Sequence, residues 1–255
     1  ANDEAPGKVS DLSDPAFGRT AQFLVGRVRY DMYSESYIGA VVTSRDFLDQ
    51  HSRVGGFDGN FRFGRTQSVS MSYFQSQHRD DKGVELSGPG WSLDYNNRGR
   101  HLTYSVDVEG LDPDFRTNTG FVRRVDTRRA QTRISYRWYP ETWLINWGPR
   151  TNYSRNYDFA GILQDERTSA GLSATFAKNI NLSLNVNRDM ERYGGINFFK
   201  SGYSLFGGVN PSRKIGVGGF LRWGEEVRYG STPFIGNGVR GNVSIFFRPV
   251  ARFQH

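Results

Sequence analysis

The sequence predicts an all-β fold, an antiparallel transmembrane β-barrel. Apolar and polar residues alternate with period two along many segments. These segments run for about 9 to 12 residues, the length that a tilted strand needs to cross a bilayer. Aromatic residues lie near the ends of the apolar parities, as in the girdles of outer-membrane proteins. No run of about 18 apolar residues occurs, so a transmembrane helix is excluded.

About thirteen candidate strands follow one another along the chain. The alternation is clearest at residues 101–109, where Leu102, Tyr104, Val106 and Val108 share one parity and polar residues hold the other. It is less clean at residues 37–45, 143–153 and 203–209. The other clear segments, in chain order, are 26–32, 57–63, 69–73, 91–95, 134–138, 170–176, 180–186 and 239–245.

Two architectures produce such alternation, a membrane barrel and a water-soluble β-sandwich or propeller. Strands of soluble sheets are usually about 5 or 6 residues long, shorter than these segments. The polar parities here carry Arg, Asp, Asn and Ser, which need water, and a wide barrel supplies water in its lumen. The pattern favours the barrel. We assign five residues to its aromatic girdle: Tyr104, Trp138, Trp143, Trp147 and Trp223.

Connections between the strands are expected to alternate between short and long. Short turns are predicted at Glu35-Ser36, at Asn97-Arg98-Gly99 and at Lys178-Asn179. Longer polar loops are predicted at 77–84, 156–167 and 188–195.

The sequence divides into a leader at residues 1–17 and a barrel domain at residues 18–255. The first segment is acidic and rich in turn residues, and it lacks the features of a signal peptide. The last residues, FFRPVARFQH, resemble a strand that runs toward a further neighbour. We therefore expect the chain to be part of a larger barrel. Cysteine is absent, which excludes only a disulfide scaffold and thiol chemistry.

The net charge of +7 is spread over separate strands instead of one basic helix or groove, so nucleic acid is not an expected partner. If the polar parities line a lumen, their arginines either attract anionic solutes or pair with carboxylates across the barrel; we favour pairing. Basic residues at the rims are expected to contact lipopolysaccharide phosphates. The candidate lumen-facing residues are Arg27, Arg29, Asp31, Asp58, Arg62, Asp94, Asp107, Glu109, Arg133, Arg137, Arg222 and Arg240.

One segment breaks the alternation. "DPDFRTNTGFVRRVD" (112–126) resembles a segment of the DUF5916 family, bacterial outer-membrane proteins of unknown function whose members often carry an N-terminal carbohydrate-binding domain of the family 9 type. "SYIGAVVTSRDF" (36–47) and "VGGFDGNFRF" (54–63) support the resemblance in order and spacing. It covers most of the chain and implies its C-terminal outer-membrane β-barrel domain, with saccharides as ligands. It also implies that an N-terminal domain and several final strands lie outside this sequence.

The residues of this segment predict a loop in their own right. Asp112-Pro113-Asp114 is a turn initiator, and Pro113 cannot donate to a β-ladder. The loop either folds across the barrel mouth with a structural role, which we favour, or forms a constriction or anion site, because guanidinium groups bind carboxylate and phosphate bidentately. The candidate constriction residues are Arg116, Arg123, Arg124, Arg128 and Arg129.

Catalytic and cofactor patterns are weak. The four histidines are scattered without metal-ligand spacing. Residues 236–241 read GNGVRG, but a strand follows them, so no helix N-terminus is expected to hold a pyrophosphate. We predict no catalytic, metal or cofactor residues and a protein that is not an enzyme; a barrel phospholipase or protease is the enzymatic alternative.

The sequence therefore predicts a pore, transport or anchoring barrel in the outer membrane of a Gram-negative bacterium. Its expected partners are outer-membrane lipid and lipopolysaccharide, saccharide ligands and other surface proteins. One alternative is a soluble, secreted β-sheet protein that binds carbohydrate or has a structural role. Another is a surface-assembly protein whose barrel is a non-conducting anchor.

Overall fold

The structure of the chain is a computed structural model, which describes residues 2–4, 7–9, 11–33, 35–212 and 214–248. Parts of the predicted leader, the last residues of the predicted terminal strand and His255 lie outside the described residues.

The described chain is an antiparallel sheet of fourteen strands, arranged in sequence order from β1 to β14. This confirms the all-β antiparallel prediction. Thirteen strands are long, with 10 to 14 residues each. No helix in the described ranges has the length and apolarity to cross a membrane. The strands are β1 (Asn2–Asp3), β2 (Ala21–Asp31), β3 (Tyr37–Phe47), β4 (Gln50–Phe63), β5 (Gln67–Arg79), β6 (Glu85–Arg98), β7 (Leu102–Leu111), β8 (Thr127–Tyr136), β9 (Leu144–Tyr157), β10 (Leu163–Phe176), β11 (Ile180–Tyr193), β12 (Ile196–Val209), β13 (Ile215–Arg228) and β14 (Phe234–Phe247).

The first and last strands of the sheet are not paired with each other in the described residues. Among the described strands, β1 and β14 each have one neighbour, β2 and β13 respectively. The structure thus establishes a sheet, and its closure into a barrel stays a prediction.

Two compact units make up the chain. The first contains the residues up to Asn96 together with 107–130 and 157–162, and the second contains 97–106, 131–156 and the residues from 163 onward.

The connections differ in part from the expected alternation of short and long. The turns at Glu35 and at Lys178-Asn179 are confirmed, and all three residues adopt positive φ. Asn97 and Arg98, however, belong to β6, and the turn occupies residues 99–101. The predicted loops are shorter than expected, because residues 77–79, 156–157, 163–167 and 188–193 belong to strands. Residues 80–84, 158–162 and 194–195 form the actual connections. Charged residues near the strand ends therefore continue the β-ladder, and the connection at 112–126 is much longer than these turns.

In the second unit, one face of the sheet is built of four consecutive apolar rows. The register places Leu172, Leu184, Leu205 and Leu221 side by side in one of these rows. Four rows cover about 20 Å along a strand at roughly 3.4 Å per residue. The next row beyond Val186 is polar, with Thr168, Arg188 and Ser201 in register. The apolar face is thus a band of limited height, bounded by charge.

The first unit repeats this arrangement on β2 to β5. One row aligns Val28, Ala40, Phe57 and Tyr73, and the next aligns Tyr30, Ile38, Gly59 and Met71.

The polarity of the whole sheet is unusual because the apolar rows are exposed. Val28 is 73% exposed and Leu184 is 48% exposed. The buried apolar side chains of the described residues are few: Ala21, Phe47, Phe115, Met190, Phe198 and Val227. Serines, in contrast, are among the most buried residues, with Ser36, Ser52 and Ser76 almost inaccessible.

Candidate functional site

The polar face of the first unit is organised by an ion pair that spans three strands. Nη2 of Arg27 on β2 donates to both carboxylate oxygens of Asp58 on β4, at 2.9 and 2.8 Å. Gly39 lies between them on β3, and a Cβ at this position would lie 3.0 Å from Oδ1 of Asp58 and 3.4 Å from Nη2 of Arg27. The missing side chain of Gly39 therefore gives this ion pair its space.

The second unit also contains an arginine that reaches across a glycine to an acceptor two strands away. Nε and Nη2 of Arg150 on β9 donate to Oδ1 of Asn185 on β11, at 3.0 and 2.7 Å. Gly171 on the intervening β10 would place a Cβ only 2.3 Å from Oδ1 of Asn185. In both units a glycine lets an arginine reach an acceptor two strands away.

The central feature of the first unit is the segment from Asp112 to Thr119, which we call the cross-strand segment. It turns away from β7 where the Asp112 N–H donates to the Pro89 carbonyl (3.0 Å) and the Phe115 N–H donates to the Asp112 carbonyl (3.1 Å). Phe115 is 6% exposed and packs over Gly88 and Gly90 of β6. A Cβ at Gly88 would lie 2.8 Å from the backbone nitrogen of Phe115, so only glycine admits the segment here.

Two buried serines then hold the cross-strand segment against the polar face. The Arg116 N–H donates to Oγ of Ser76 on β5 (3.1 Å), whose hydroxyl donates to the Gly88 carbonyl (3.1 Å). The Asn118 N–H donates to Oγ of Ser52 on β4 (3.0 Å). These contacts carry the backbone of the segment from β6 over β5 to β4.

The segment ends against β3. Oγ1 of Thr119 lies 2.9 Å from Oγ1 of Thr43, within hydrogen-bonding distance. Hydroxyls on two successive strands therefore hold the backbone of the segment, and Thr43 on the next strand contacts its Thr119 side chain.

The five candidate constriction arginines occupy different environments. Nη1 of Arg116 donates to the carbonyls of Pro113 (2.7 Å) and Phe115 (2.8 Å), so its guanidinium stabilises the turn. Arg128 donates to the Asp158 carbonyl, and Arg129 lies 3.5 Å from Glu109. Arg123 and Arg124 are exposed.

The second unit holds several of its charges in ion pairs. Asp189 belongs to the polar parity of Ser183, whereas Glu166 lies opposite Met190 in the parity of the apolar rows. Nε of Arg167 donates to Oδ1 of the buried Asp189 (3.1 Å), and Nε of Arg155 donates to Oε1 of Glu166 (2.9 Å). Lys200 pairs with Glu191. The Tyr229 hydroxyl, beyond the end of β13, also donates to Glu191; this hydrogen bond, together with burial, raises the pKa of Tyr229 to about 12.

The predicted lumen-facing residues follow one polar parity where the register is defined. Arg29 lies beside Gly39, which in turn pairs with Asp58. Arg222 on β13 lies directly opposite Arg240 on β14 in the register of the sheet. Arg133 donates to Gln131 and lies within hydrogen-bonding distance of Ser105. Two of these arginines form ion pairs, Arg62 with Glu35 and Arg29 with Asp31. Arg137 lies just after β8. The acidic residues Asp94, Asp107 and Glu109 lie in β6 and β7.

Aromatic side chains of the second unit stack in pairs, two of them near strand ends and one within strands β12 and β13. Trp138 and Trp147 stack with ring centroids 4.6 Å apart, and Trp143 stacks on Phe176 at 5.6 Å. Trp223 stacks on Tyr203 at 5.7 Å, in the last apolar row before the polar row at Arg188. Tyr104 is half-buried in β7. The aromatic pairs therefore lie at the borders of the apolar band.

No cluster of metal-ligating side chains occurs within the ranges that the structure describes. The GNGVRG sequence lies inside β14, so it forms a strand and offers no helix N-terminus to a phosphate.

Sequence reasoning missed several of these residues. Ser52 and Ser76 look like any other polar-face serine, and no local signal separates them. Gly39 and Gly171 interrupt otherwise regular strands, and this interruption is the signal that could have identified a close approach.

No family model, curated protein or solved structure matches the chain. The resemblance to the DUF5916 family therefore stays a prediction.

Proposed function

We propose that the chain is an outer-membrane β-barrel domain that acts as a pore, or as a transport or anchoring barrel. The observation that carries this proposal is the exposed apolar face, whose rows extend across neighbouring strands in both units. Water-soluble monomers rarely leave apolar patches of more than a few hundred Å² in contact with water. Lipid is the solvent in which such a face is stable, and a closed barrel is the form in which strands satisfy their backbone in lipid.

The height of the apolar band supports a membrane location. Four rows at roughly 20 Å, extended by their flanking side chains, approach the band of about 25 Å that faces lipid in outer-membrane barrels. Stacked aromatic pairs such as Tyr203–Trp223 lie at its border, where amphipathic rings are favoured.

The opposite face supports a water-filled interior. Its residues are Arg, Asp, Asn and Ser, and a buried polar network needs all members paired or hydrated. The cross-strand segment covers part of this face, so we propose a lumen that is narrowed in the first unit. Saccharides as solutes follow from the family resemblance alone.

A non-catalytic role is part of the proposal. Two acidic groups of the second unit, the buried Asp189 and the half-buried Glu191, form ion pairs with Arg167 and Lys200. The paired state favours a structural assignment of these carboxylates over general acid or base work.

Lipopolysaccharide is the proposed membrane partner. Arg188 is exposed in the polar row that follows the apolar rows, and Arg53 occupies an equivalent place in the first unit beyond Val42 and Gly55. Guanidinium groups at the edge of the apolar band can bind lipid phosphates bidentately.

Fractionation and conductance test the proposal. The protein, expressed in a Gram-negative host, should be recovered in the outer membrane and should change its gel mobility when boiled in SDS. The purified protein should then produce discrete current steps in a planar lipid bilayer. A soluble product with ordinary mobility would contradict the barrel. A heat-modifiable barrel without conductance would replace the pore with the anchor alternative.

A further inference from the structure

One aromatic pair lies on the polar face of the second unit instead of the apolar face. Phe206 and Phe220 stack with ring centroids 5.7 Å apart and planes inclined by 19°. Their cross-strand partners are the polar residues Ser183 and Asn242. Phe206 is 56% exposed, although its face is the hydrophilic one. Lipid contact therefore does not explain these rings.

Space is left open on one side of the rings. The neighbouring row pairs Gly208 with Gly218, and a Cβ at Gly218 would meet no atom closer than 3.6 Å. A cleft of about 480 Å³ adjoins Phe206 and is lined by Arg150, Asn181 and Gly208, among others. Two hydrogen bonds to Oδ1 of Asn185 hold the guanidinium of Arg150 in the wall of this cleft.

Two arginines lie in the row on the other side of the rings. Arg222 and Arg240 are direct cross-strand partners, and both are exposed. Like charges placed opposite each other destabilise a sheet. Neither arginine forms an ion pair with any residue in the described ranges. An anion between them would remove the repulsion.

The rings and the arginines are separated by one row, about 7 Å along the strands. A pyranose ring stacked on the two phenylalanines would hold its carboxylate between the rings and the arginine row. The long arginine side chains can cover the distance that is left between their backbone and that carboxylate. An aromatic platform offers its face to the C–H groups of the sugar, and guanidinium groups bind carboxylate bidentately. Asn181 and Ser204 lie beside the platform as partners for sugar hydroxyls.

We propose that Phe206, Phe220, Arg222 and Arg240 form a binding subsite for an acidic sugar, a uronic-acid residue of an oligosaccharide. The inference deepens the proposed function and rests on it, because it takes this face to be in contact with water inside a barrel. It names the solute class as anionic saccharide and assigns the rings to stacking and the arginines to charge recognition.

Equilibrium binding to the detergent-purified full-length protein tests the subsite without requiring conductance. The probes are trigalacturonate and the neutral β-1,4-galactotriose, measured by isothermal titration calorimetry at low ionic strength. We expect trigalacturonate to bind about tenfold or more tightly than galactotriose, as charge-assisted hydrogen bonds allow. This preference should shrink as salt is added.

Variants separate the two roles. Arg222→Gln with Arg240→Gln should remove the preference for the acidic probe, whereas Phe206→Ala should weaken the binding of both probes. Lys214→Gln with Arg228→Gln is the matched control, since it removes two charges near the ends of β13 and should leave the preference intact. Equal affinity for the two probes, or a preference that survives the double Arg→Gln change, would overturn the subsite.

Conductance is recorded on the same preparations, so that the pore and the acidic-sugar subsite are tested by different measurements. Current steps with no preference for the acidic probe would refute the subsite and leave the pore. Selective trigalacturonate binding that the Arg222 and Arg240 variants abolish, in a protein without conductance, would support the subsite and refute the pore.

Discussion

At the scale of single residues, Gly39 organises three strands by lacking a side chain. Replacing it with alanine should place a Cβ 3.0 Å from Oδ1 of Asp58 and displace the ion pair with Arg27. We expect a loss of about 1 kcal/mol in the free energy of unfolding, since the pair is partly exposed and such pairs contribute modestly. Urea unfolding in lipid vesicles measures the change.

Gly55→Ala is the control for this substitution, because its Cβ would meet nothing within 4 Å. Introducing Gly39→Ala into an Arg27→Met background should cost clearly less than in the natural sequence, because residues in contact are energetically coupled. Equal costs in both backgrounds would contradict the explanation.

A buried serine hydroxyl fixes the cross-strand segment. Ser76 is 0% exposed, donates to the Gly88 carbonyl and accepts the Arg116 N–H. Ser76→Ala should leave the Arg116 N–H unsatisfied, which costs about 1–3 kcal/mol and loosens the segment. We expect faster trypsin cleavage at Arg116, Arg123 or Arg124 in the folded protein. Ser70→Ala, on the same strand and face, should leave the cleavage rate unchanged.

Prediction from sequence was weakest at this scale. The segment at 112–126 was expected to leave the regular strands because Pro113 cannot join a ladder, and it does so. Its course over β6, β5 and β4 depends on Gly88, Ser76 and Ser52, which are distant in sequence. Such contacts carry no periodic signal, so the alternation of residues cannot reveal them.

At the scale of one strand, the side chains of β11 alternate between the apolar and the polar face of the sheet. Leu184 lies in an apolar row and its neighbour Ser183 lies on the polar face. Leu184→Arg should destabilise the protein in a bilayer by about 2–4 kcal/mol, the cost of a cation at mid-depth on a lipid-facing strand. Ser183→Arg should cost far less. Urea titration in lipid vesicles distinguishes them, and equal costs would place both residues in the same solvent.

The connection between β7 and β8 makes its own prediction. Arg123 is exposed, whereas the guanidinium of Arg116 is held by two carbonyls of the turn. Arg123→Gln should therefore lower the anion-to-cation permeability ratio in planar bilayers. Lys82→Gln, which removes a charge from the turn at 80–84, should not. An unchanged ratio for both variants would remove Arg123 from the constriction.

The strands themselves followed from sequence, but their ends did not. Residues 188–193 were expected in a loop because they include Arg188, Asp189, Glu191 and Arg192, yet they complete β11. Charge marks the limit of the apolar band instead of the limit of the strand, because backbone pairing continues where side chains reach water. The period-two signal therefore predicts which face a residue occupies better than it predicts where a strand stops.

At the scale of the whole molecule, the exposed tryptophans report on the solvent around the apolar face. Trp143 and Trp223 are 70% and 37% exposed. In vesicles made with brominated acyl chains, tryptophan fluorescence should be quenched relative to vesicles of ordinary lipid, and Trp143→Phe with Trp223→Phe should remove a large part of that quenching. Fluorescence that is the same in both lipids would show that the rings are not in contact with acyl chains.

Strand order has a consequence for how such a sheet forms and changes. Every strand lies beside its neighbours in sequence, so each pairing closes only a short stretch of chain. Short closures cost little entropy and favour quick, stepwise assembly, in which one hairpin becomes the template for the next. A hairpin gained or lost by duplication or deletion would leave every other register intact, so a sheet of this kind gains or loses width in units of two strands.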